Sequence, residues 1–333
     1  MIWKNIQLFN VAATELREDG ALYLRRFPLP CYEEFAASPY EIVPFAAKLT
    51  TGCELRFVGN SADVYLSAEE FDGTVEIYRG DFFCRVERLQ AGVITKIELR
   101  QNSIDEKNPP KSGRFSSNVW RVIFDHDLQV LLHDVQSETG VRAPLAEEVP
   151  QKKMIAYGSS ITHSAGAQLF TNSYIYTVAK TLGVDVLCKG MGGSCHIHEN
   201  VVKYLPNEEW DLAVLELGIN MIDVFPVEVF EERARGLITK MLACGKPVVL
   251  ISNFTSYRSM PTDTLYQVNK DYIATLEKLY KELKTDKLHY IKGENIVTEW
   301  DYLTSDLIHP SPYGHGQMGR KIAKIIREEF KIL

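Results

Sequence analysis

The sequence predicts two domains of different fold class: an all-β sandwich or jelly roll, followed by a three-layer α/β/α domain with a parallel sheet. Short runs that alternate polar and apolar residues fill the first part of the 333-residue chain, and this period of two is typical of half-buried strands. In the second part, apolar strand-like runs alternate with amphipathic helical stretches, a pattern typical of α/β folds. A polar, proline-containing stretch at 143–153 separates the two patterns.

The predicted β-sandwich domain covers residues 1–148. Its clearest strands are bounded by Gly, Asn and Asp, residues that favour turns. The aromatic residues here favour a sandwich core, with a carbohydrate-binding face as the alternative. Residues 101–117 are polar, contain two adjacent prolines, and are predicted to form a loop. The predicted strands are 54–58, 63–66, 74–79, 83–86, 94–99 and 120–124.

The predicted α/β domain covers residues 149–333. Strand and helix alternate along it, which indicates parallel strands joined by right-handed crossovers. Pro312 suits the first turn of the last helix, where no backbone N–H is needed. The predicted strands are 154–157, 184–187, 212–217, 247–251 and 288–291, and the predicted helices are 172–182, 227–243, 262–283 and 312–330.

Charge, hydropathy and cysteine spacing argue against nucleic-acid or membrane partners and against a zinc or disulfide framework. The formal net charge of −7 argues against nucleic acid or an anionic membrane as the main partner, because both attract basic surfaces. No stretch approaches the roughly 18 apolar residues of a membrane span, and the N-terminus lacks the pattern of a secretory signal, so a cytoplasmic location is expected. The six cysteines contain no C-x-x-C pair, which predicts neither a zinc site nor a disulfide framework. The oligomeric state stays open.

Four segments that could carry chemistry each follow a predicted strand of the second domain. Because the carboxyl ends of parallel strands meet at one edge of a sheet, these segments should lie close together. Each of them alone could be an ordinary turn or loop. Their common position after buried strands is what favours a catalytic site. The segments are 158–160, 190–194, 218–220 and 306–309.

The residue types in these segments fit nucleophilic catalysis. A serine hydroxyl needs a base to take its proton, and His309 could serve Ser160 in this way. Asp306, three residues earlier, could turn back and hold the imidazole in the correct tautomer. Developing negative charge on a substrate oxygen needs donors, which the N–H groups of Ser160 and Gly193 and the amide of Asn220 could supply. Gly192 is the neighbouring alternative to Gly193.

Other patterns are weaker. His196-x-His198 could offer metal ligands, but no third ligand is evident, so a place at the rim of a pocket is favoured. Cys195 stands where a dinucleotide-binding fingerprint needs its third glycine. Thr162 stands where the α/β-hydrolase elbow Gly-x-Ser-x-Gly needs its last glycine. We therefore expect no metal and no cofactor.

The four segments together resemble the sequence blocks of the SGNH, or GDSL-type, hydrolases, which are named for Ser, Gly, Asn and His. The resemblance covers the chain from about residue 154 to the C-terminus and implies a flavodoxin-like α/β/α fold. It implies that Ser160 is the nucleophile, His309 the base and Asp306 its partner. The N–H groups of Ser160 and Gly193 and the side chain of Asn220 would then form the oxyanion hole.

The sequence departs from the family pattern at the serine. The usual Gly-Asp-Ser is here Gly158-Ser159-Ser160, and Ile161-Thr162 continues the family pattern from Ser160. Ser160 is therefore favoured over Ser159. Two further departures, in the second and third blocks, suggest a divergent subfamily. They are Cys188 or Lys189 in place of the usual Asn, and Met221 in place of an Asp.

A β-sandwich before an SGNH domain also resembles the two-domain carbohydrate esterases and some related acyltransferases. The resemblance implies a serine esterase that removes a small acyl group, with acetyl as the expected group, from a carbohydrate or polyol. We expect a small-molecule or oligosaccharide ester as partner, and neither nucleic acid nor membrane. An acyltransferase that uses the same residues is one alternative, and a non-catalytic glycan-binding protein is another.

Overall fold

The structure, a computed structural model, describes residues 1–100 and 113–332 and divides into two compact units. The predicted loop at 101–117 lies partly outside the described residues, at positions 101–112. Residues 30–47 belong to the second unit, which the sequence analysis did not anticipate. The division into folding domains at 148/149 stays a prediction. The first unit is Met1–Leu29, Lys48–Gln151 and Gly183–Asp185, and the second is Pro30–Ala47, Lys152–Leu182 and Val186–Leu333.

Two antiparallel sheets form the first unit, as the sequence predicted. Within the described residues, the strands are β1 (Ile2–Trp3), β2 (Ile6–Phe9), β3 (Ala13–Leu16), β4 (Leu22–Arg25), β5 (Glu54–Val58), β6 (Ser61–Ala68), β7 (Gly73–Arg79), β8 (Phe82–Leu89), β9 (Thr95–Arg100), β10 (Val119–Phe124) and β11 (Val130–Gln136). One sheet has the order β1-β2-β5-β10-β7-β8 and the other β3-β4-β11-β6-β9. The sequence analysis did not assign β1 to β4 or β11.

One apolar core joins the two sheets. Leu55 and Val122 from the first sheet pack in the same buried cluster as Leu66 and Leu132 from the second. Full burial of such a side chain stabilises the fold by about 1.5–3 kcal/mol. The alternation seen in the sequence therefore has its expected cause, because every second side chain of a strand points into the space between the sheets.

A buried group of charges lies on the six-stranded sheet. Glu54 accepts hydrogen bonds from Arg56 Nε at 2.6 Å and from Arg121 Nη2 at 2.7 Å, and all three side chains are at most 3% exposed. Burial tends to raise the pKa of Glu54, but Arg121 and Arg56 outweigh it and lower the pKa below its ordinary value. The carboxylate therefore stays ionised at neutral pH, and its contribution to stability is lost only as the pH falls through that lowered pKa.

The second unit contains the predicted parallel sheet between layers of helices. Its strands are β12 (Lys153–Gly158), β13 (Asp185–Gly190), β14 (Leu212–Glu216), β15 (Val248–Ile251) and β16 (Leu288–Ile291), in the order β13-β12-β14-β15-β16. The helices named in the described residues are α1 (Leu29–Ala36), α2 (Ile42–Lys48), α3 (Tyr174–Leu182), α4 (Glu199–Tyr204), α5 (Val227–Leu242), α6 (Tyr266–Glu282) and α7 (Pro312–Lys324). Helices α3 and α7 pack together, and so do α5 and α6. The four predicted helices are confirmed with small changes at their ends.

Hydrogen bonds between Glu34 and the first turn of α4 connect residues 30–47 to the second unit. The Glu34 carboxylate accepts hydrogen bonds from the backbone N–H groups of Glu199 and Asn200, both at 2.8 Å. These are the unpaired donors of the first turn of α4, where a negative charge is favourable. The partners are about 165 positions apart, so no local pattern predicts the contact.

In the described ranges 1–100 and 113–332, none of the helices combines the length and apolar character needed to cross a membrane. The cytoplasmic location stays a prediction.

Replacement of Glu54 by Ala should strongly destabilise the first unit. Two buried guanidinium groups would lose their shared carboxylate, and loss of one partner in such a group typically costs about 3–5 kcal/mol. Urea unfolding followed by circular dichroism should show an earlier midpoint for this unit. The matched control is Glu98→Ala, which removes an exposed ion pair with Lys96 and should leave the midpoint nearly unchanged. Equal midpoints for the two variants would contradict this account of the buried charges.

Candidate active site

The two adjacent serines at the end of β12 have different surroundings. Ser160 is partly exposed, and its Oγ lies 2.8 Å from His309 Nε2. Ser159 is 1% exposed, and its Oγ donates to Glu216 Oε2 at 2.7 Å. Only Ser160 therefore combines access from solvent with contact to a base, as a nucleophile needs.

His309 is held by the loop that precedes α7. Its Nδ1 lies 2.7 Å from Asp306 Oδ2, and the other oxygen, Oδ1, accepts from Thr304 Oγ1 at 2.8 Å and from the N–H groups of Ile308 and His309 at 2.9 Å. Leu307 adopts a positive φ of 56°, which closes the tight bend between Asp306 and His309. This bend brings a carboxylate three residues back onto the imidazole, as the spacing predicted.

The hydrogen bonds around Asp306 determine its charge. Burial tends to raise the pKa of Asp306, but the hydrogen bonds from the His309 side chain and from the N–H groups of His309 and Ile308 hold it well below its usual value. Asp306 thus remains a carboxylate throughout the neutral range. A fixed negative charge at this place favours the tautomer with the proton on Nδ1, so Nε2 faces Ser160 as an acceptor.

Two of the three expected oxyanion donors come from loops after β13 and β14. Asn220 Oδ1 accepts from the N–H of Cys195 at 3.3 Å, so the Nδ2 amide is the end of that side chain that can donate to a substrate. Gly192 donates its N–H to His163 Nδ1 at 3.3 Å. A Cβ built on Gly192 would stand 3.7 Å from the Ser160 Cβ, so this loop borders the serine.

The expected backbone donors are the N–H groups of Ser160 and Gly193. Within the described residues, neither of these two N–H groups takes part in a backbone hydrogen bond. Gly193 has a φ of +65°, a conformation that glycine adopts without strain. Because the N–H of Gly192 is already used, Gly193 is the better candidate, as the sequence analysis favoured. The catalytic roles of all these residues stay predictions.

Helix α2 reaches the loop that contains Gly193, a contact that the sequence did not predict. A Cβ built on Gly193 would stand 2.9 Å from Ile42 Cγ1, and Ile42 is 42% exposed. The ring of Tyr40 packs edge-on against the rings of His196 and Phe225, with centroids 5.4 and 6.1 Å away. An apolar, partly exposed wall therefore lies beside the proposed oxyanion donor. Nothing in the sequence around Tyr40 and Ile42 links this segment to residue 193.

The two histidines after this loop are surrounded by aromatic rings. His196 is 1% exposed and lies 5.3 Å from the ring of Phe225, and the two histidine rings are 5.6 Å apart. Burial lowers the pKa of His196 to about 4, and repulsion from His198 and Arg233 lowers it in the same direction. The His196 ring is therefore neutral at pH 7. Among residues 1–100 and 113–332, no three His, Cys, Asp or Glu side chains form a group that could hold a metal.

Residues 151–327, more than half of the chain, match the model of the GDSL-like lipase/acylhydrolase family. The chain belongs to this family. It is therefore an enzyme of the hydrolase class that acts on ester bonds. The expectation drawn from the four sequence blocks is confirmed at this level. A comparison with curated protein sequences gave no match.

Several solved structures share the fold over nearly the whole chain. A salicylyl-acyltransferase from a tetracycline biosynthetic pathway has a TM-score of 0.78 at 16% identity and covers 96% of this chain and 93% of its own. A protein described as a GDSL-like lipase from Bacteroides ovatus has a TM-score of 0.74 at 16% identity and covers 99% of this chain and 97% of its own. A family two carbohydrate esterase from Cellvibrio japonicus has a TM-score of 0.62 at 14% identity and covers 99% of this chain and 96% of its own. At these identities the likeness concerns the fold, including the N-terminal β unit.

The variant Asp306→Asn should lose esterase activity without unfolding. An asparagine oxygen can still accept from Thr304, Ile308 and His309, but an amide donor would replace Oδ2 and face Nδ1. The imidazole would then carry its proton on Nε2 and could not accept one from Ser160, with an expected loss of roughly 10⁴-fold in kcat.

Turnover of p-nitrophenyl acetate, with melting temperature as the check on folding, measures this effect. The control is Thr304→Val, which removes one hydrogen bond to Oδ1 and leaves the Asp306–His309 pair intact. A wild-type kcat for Asp306→Asn would contradict the role given to this carboxylate.

Proposed function

We propose that this GDSL-family enzyme is a serine esterase that removes small acyl groups, acetyl first among them, from a carbohydrate or polyol. The observation that carries the proposal is the chain of two short hydrogen bonds from Ser160 through His309 to Asp306, at 2.8 and 2.7 Å. A hydroxyl, an imidazole and a carboxylate in this order are the parts that acyl transfer through a serine requires.

The first half of the reaction forms an acyl-enzyme. Ser160 Oγ attacks the ester carbonyl carbon while its proton moves to His309 Nε2, and Asp306 stabilises the resulting imidazolium. The carbonyl oxygen becomes an oxyanion that accepts hydrogen bonds from the N–H groups of Ser160 and Gly193 and from Asn220 Nδ2. The tetrahedral intermediate then expels the alcohol, which takes the proton from His309.

The second half reverses these roles. A water molecule gives a proton to His309 Nε2 and attacks the acyl carbon, and the same donors hold the second oxyanion. Collapse of this intermediate returns the proton to Ser160 Oγ and releases the acid. Each donor would contribute roughly 3–4 kcal/mol to stabilisation of the transition state.

The substrate class in this proposal is drawn from the fold likeness to carbohydrate esterases. The two-unit fold extends over family two carbohydrate esterases, one of them solved with cellohexaose, and over an acetyl xylan esterase from Butyrivibrio proteoclasticus with a TM-score of 0.60. Identity to these proteins is 12–14%, so the likeness suggests a class of ester to test and no more.

A second candidate function is acyl transfer to an alcohol other than water. The fold of the salicylyl-acyltransferase matches 96% of this chain at a TM-score of 0.78. Hydrolysis and acyl transfer differ only in whether water or an alcohol attacks the acyl-enzyme. Incubation with an acyl thioester and a sugar alcohol separates the two functions. A new ester as main product would favour transfer, and free acid alone would favour hydrolysis.

Acetate release from acetylated monosaccharides and polyols tests the leading proposal. The wild type should release acetate, and Ser160→Ala should lose at least about 10⁴-fold in kcat because no other group replaces the nucleophile. The kcat of Ser159→Ala should stay well above that of Ser160→Ala, since the Ser159 hydroxyl donates to Glu216 and the Ser160 hydroxyl contacts His309. Full activity in Ser160→Ala would end the proposal, as would the absence of turnover of any ester by the wild type.

Substitutions at Ile42 should change the preference for acyl length. Ile42→Ala opens space beside Gly193 and should raise the kcat/KM ratio of butyrate to acetate esters by about tenfold, the usual effect of one or two methylenes. Ile42→Trp should lower the same ratio. Leu16→Ala, at a 73% exposed position of the first unit, is the control. An unchanged ratio in both Ile42 variants would exclude this side chain from the acyl site.

A further inference from the structure

A buried glutamate lies directly behind the proposed nucleophile. Glu216 is the last residue of β14 and is 1% exposed. Its Oε2 accepts hydrogen bonds from the N–H and the Oγ of Ser159, both at 2.7 Å, and from Thr162 Oγ1 at 3.1 Å. Ser159 and Thr162 stand on either side of Ser160, so one carboxylate oxygen holds both sides of the turn that carries it.

The neighbouring contacts extend this support. Ser159 Oγ also accepts from the N–H of Ile161 at 3.2 Å, and Thr162 Oγ1 lies 2.7 Å from the hydroxyl of the buried Tyr174. A Cβ on Gly158 would stand 2.6 Å from Glu216 Oε2, so the carboxylate occupies the space that a side chain at 158 would need. The serine turn is therefore built around this group.

The charge of Glu216 has no counterpart nearby. In the described part of the chain, no ion pair involves Glu216, and its Oε1 has no hydrogen-bond partner. Burial raises the pKa of the group to about 7, against the hydrogen bonds from Ser159 and Thr162. A buried carboxyl without a cation destabilises a fold relative to an apolar side chain. Packing alone therefore does not account for a glutamate here.

We propose that Glu216 is a positioning residue for Ser160, and that the Ser159–Glu216 pair does here what an acidic residue next to the serine does in a Gly-Asp-Ser motif. The proposal rests on the proposed function of Ser160. The carboxylate sits on β14 instead of at position 159, and it fixes the turn that sets the Ser160 Oγ and N–H toward the substrate. Glu216 touches no reacting atom, so its effect passes through Ser159 and Thr162.

The geometry allows the pair to be exchanged. A serine facing a glutamate and an aspartate facing an asparagine place the same number of side-chain atoms between the two Cα atoms. The double variant Ser159→Asp with Glu216→Asn should therefore restore a hydrogen bond of similar span, with the carboxylate moved to position 159. Ser159→Asp alone would set two carboxyl groups against each other, and Glu216→Asn alone would leave a gap.

The experiment compares kcat and KM for p-nitrophenyl acetate in the two single variants and the double variant. Each single variant should lower kcat by at least about tenfold with KM changed less than about threefold, and the double variant should recover to within about threefold of wild type. Ser164→Ala is the matched control, because it removes a buried hydroxyl of the same turn that has no hydrogen-bond partner in the described residues. It should keep the wild-type kcat.

The outcomes separate this inference from the proposed function. A double variant whose losses are the product of the single losses would overturn it, and so would single variants with wild-type kcat. If Glu216→Asn fails to fold, Glu216→Gln and Ser159→Ala probe the same contact, with retained activity expected for the first and a loss of about tenfold for the second. A wild type with no turnover of any ester would instead defeat the proposed function.

Discussion

The hydrogen bond between Ser160 Oγ and His309 Nε2 is the constraint on which the proposed chemistry depends. It joins residues 149 positions apart, so only the tertiary fold can form it. The parallel sheet supplies the means, because β12 ends at Gly158 and delivers Ser160 to the edge where the loops after β13 and β14 also arrive. The loop before α7 completes the arrangement by turning Asp306 back onto the imidazole.

Burial and hydrogen bonding divide the acidic groups near the serine into two kinds. Asp306 lies toward solvent and accepts several hydrogen bonds, which keep its pKa low and its charge fixed. Glu216 lies in the interior without a cation, and burial raises its pKa to about 7. Two carboxyl groups of one site thus have opposite shifts because their environments differ. The exposed one contacts the proposed base, His309, and the buried one contacts the turn that carries the proposed nucleophile, Ser160.

Much of this architecture could be predicted from sequence. The period of two in residues 54–58 and 74–79 predicted sandwich strands, and the alternation of strand-like and helical runs in the second part predicted the parallel sheet. The positions of the segments around Ser160, Asn220 and His309 after predicted strands indicated the edge at which they meet. These signals are local, because they depend on the spacing of apolar residues and on short motifs. Strands β1 to β4 have two to four residues each, and none of them was predicted.

The missed features depend on contacts between distant residues. Helix α2 brings Ile42 to Gly193, and Glu34 meets the start of α4, but neither segment carries a pattern that names its partner. Glu216 left a weak signal, since an acidic residue at the end of the apolar run 212–217 is unusual in a buried strand. Only the structure relates it to Ser159, through two hydrogen bonds to the Glu216 carboxylate.

Covalent labelling tests the central claim most directly. A fluorophosphonate reacts with an activated serine and leaves its phosphonyl group on the oxygen, so peptide mass spectrometry can identify the residue. The account predicts a single adduct on Ser160, formed slowly or not at all in His309→Ala, whose base is missing. An adduct on Ser159, or an active enzyme that hydrolyses esters with Ser160 unlabelled, would contradict it.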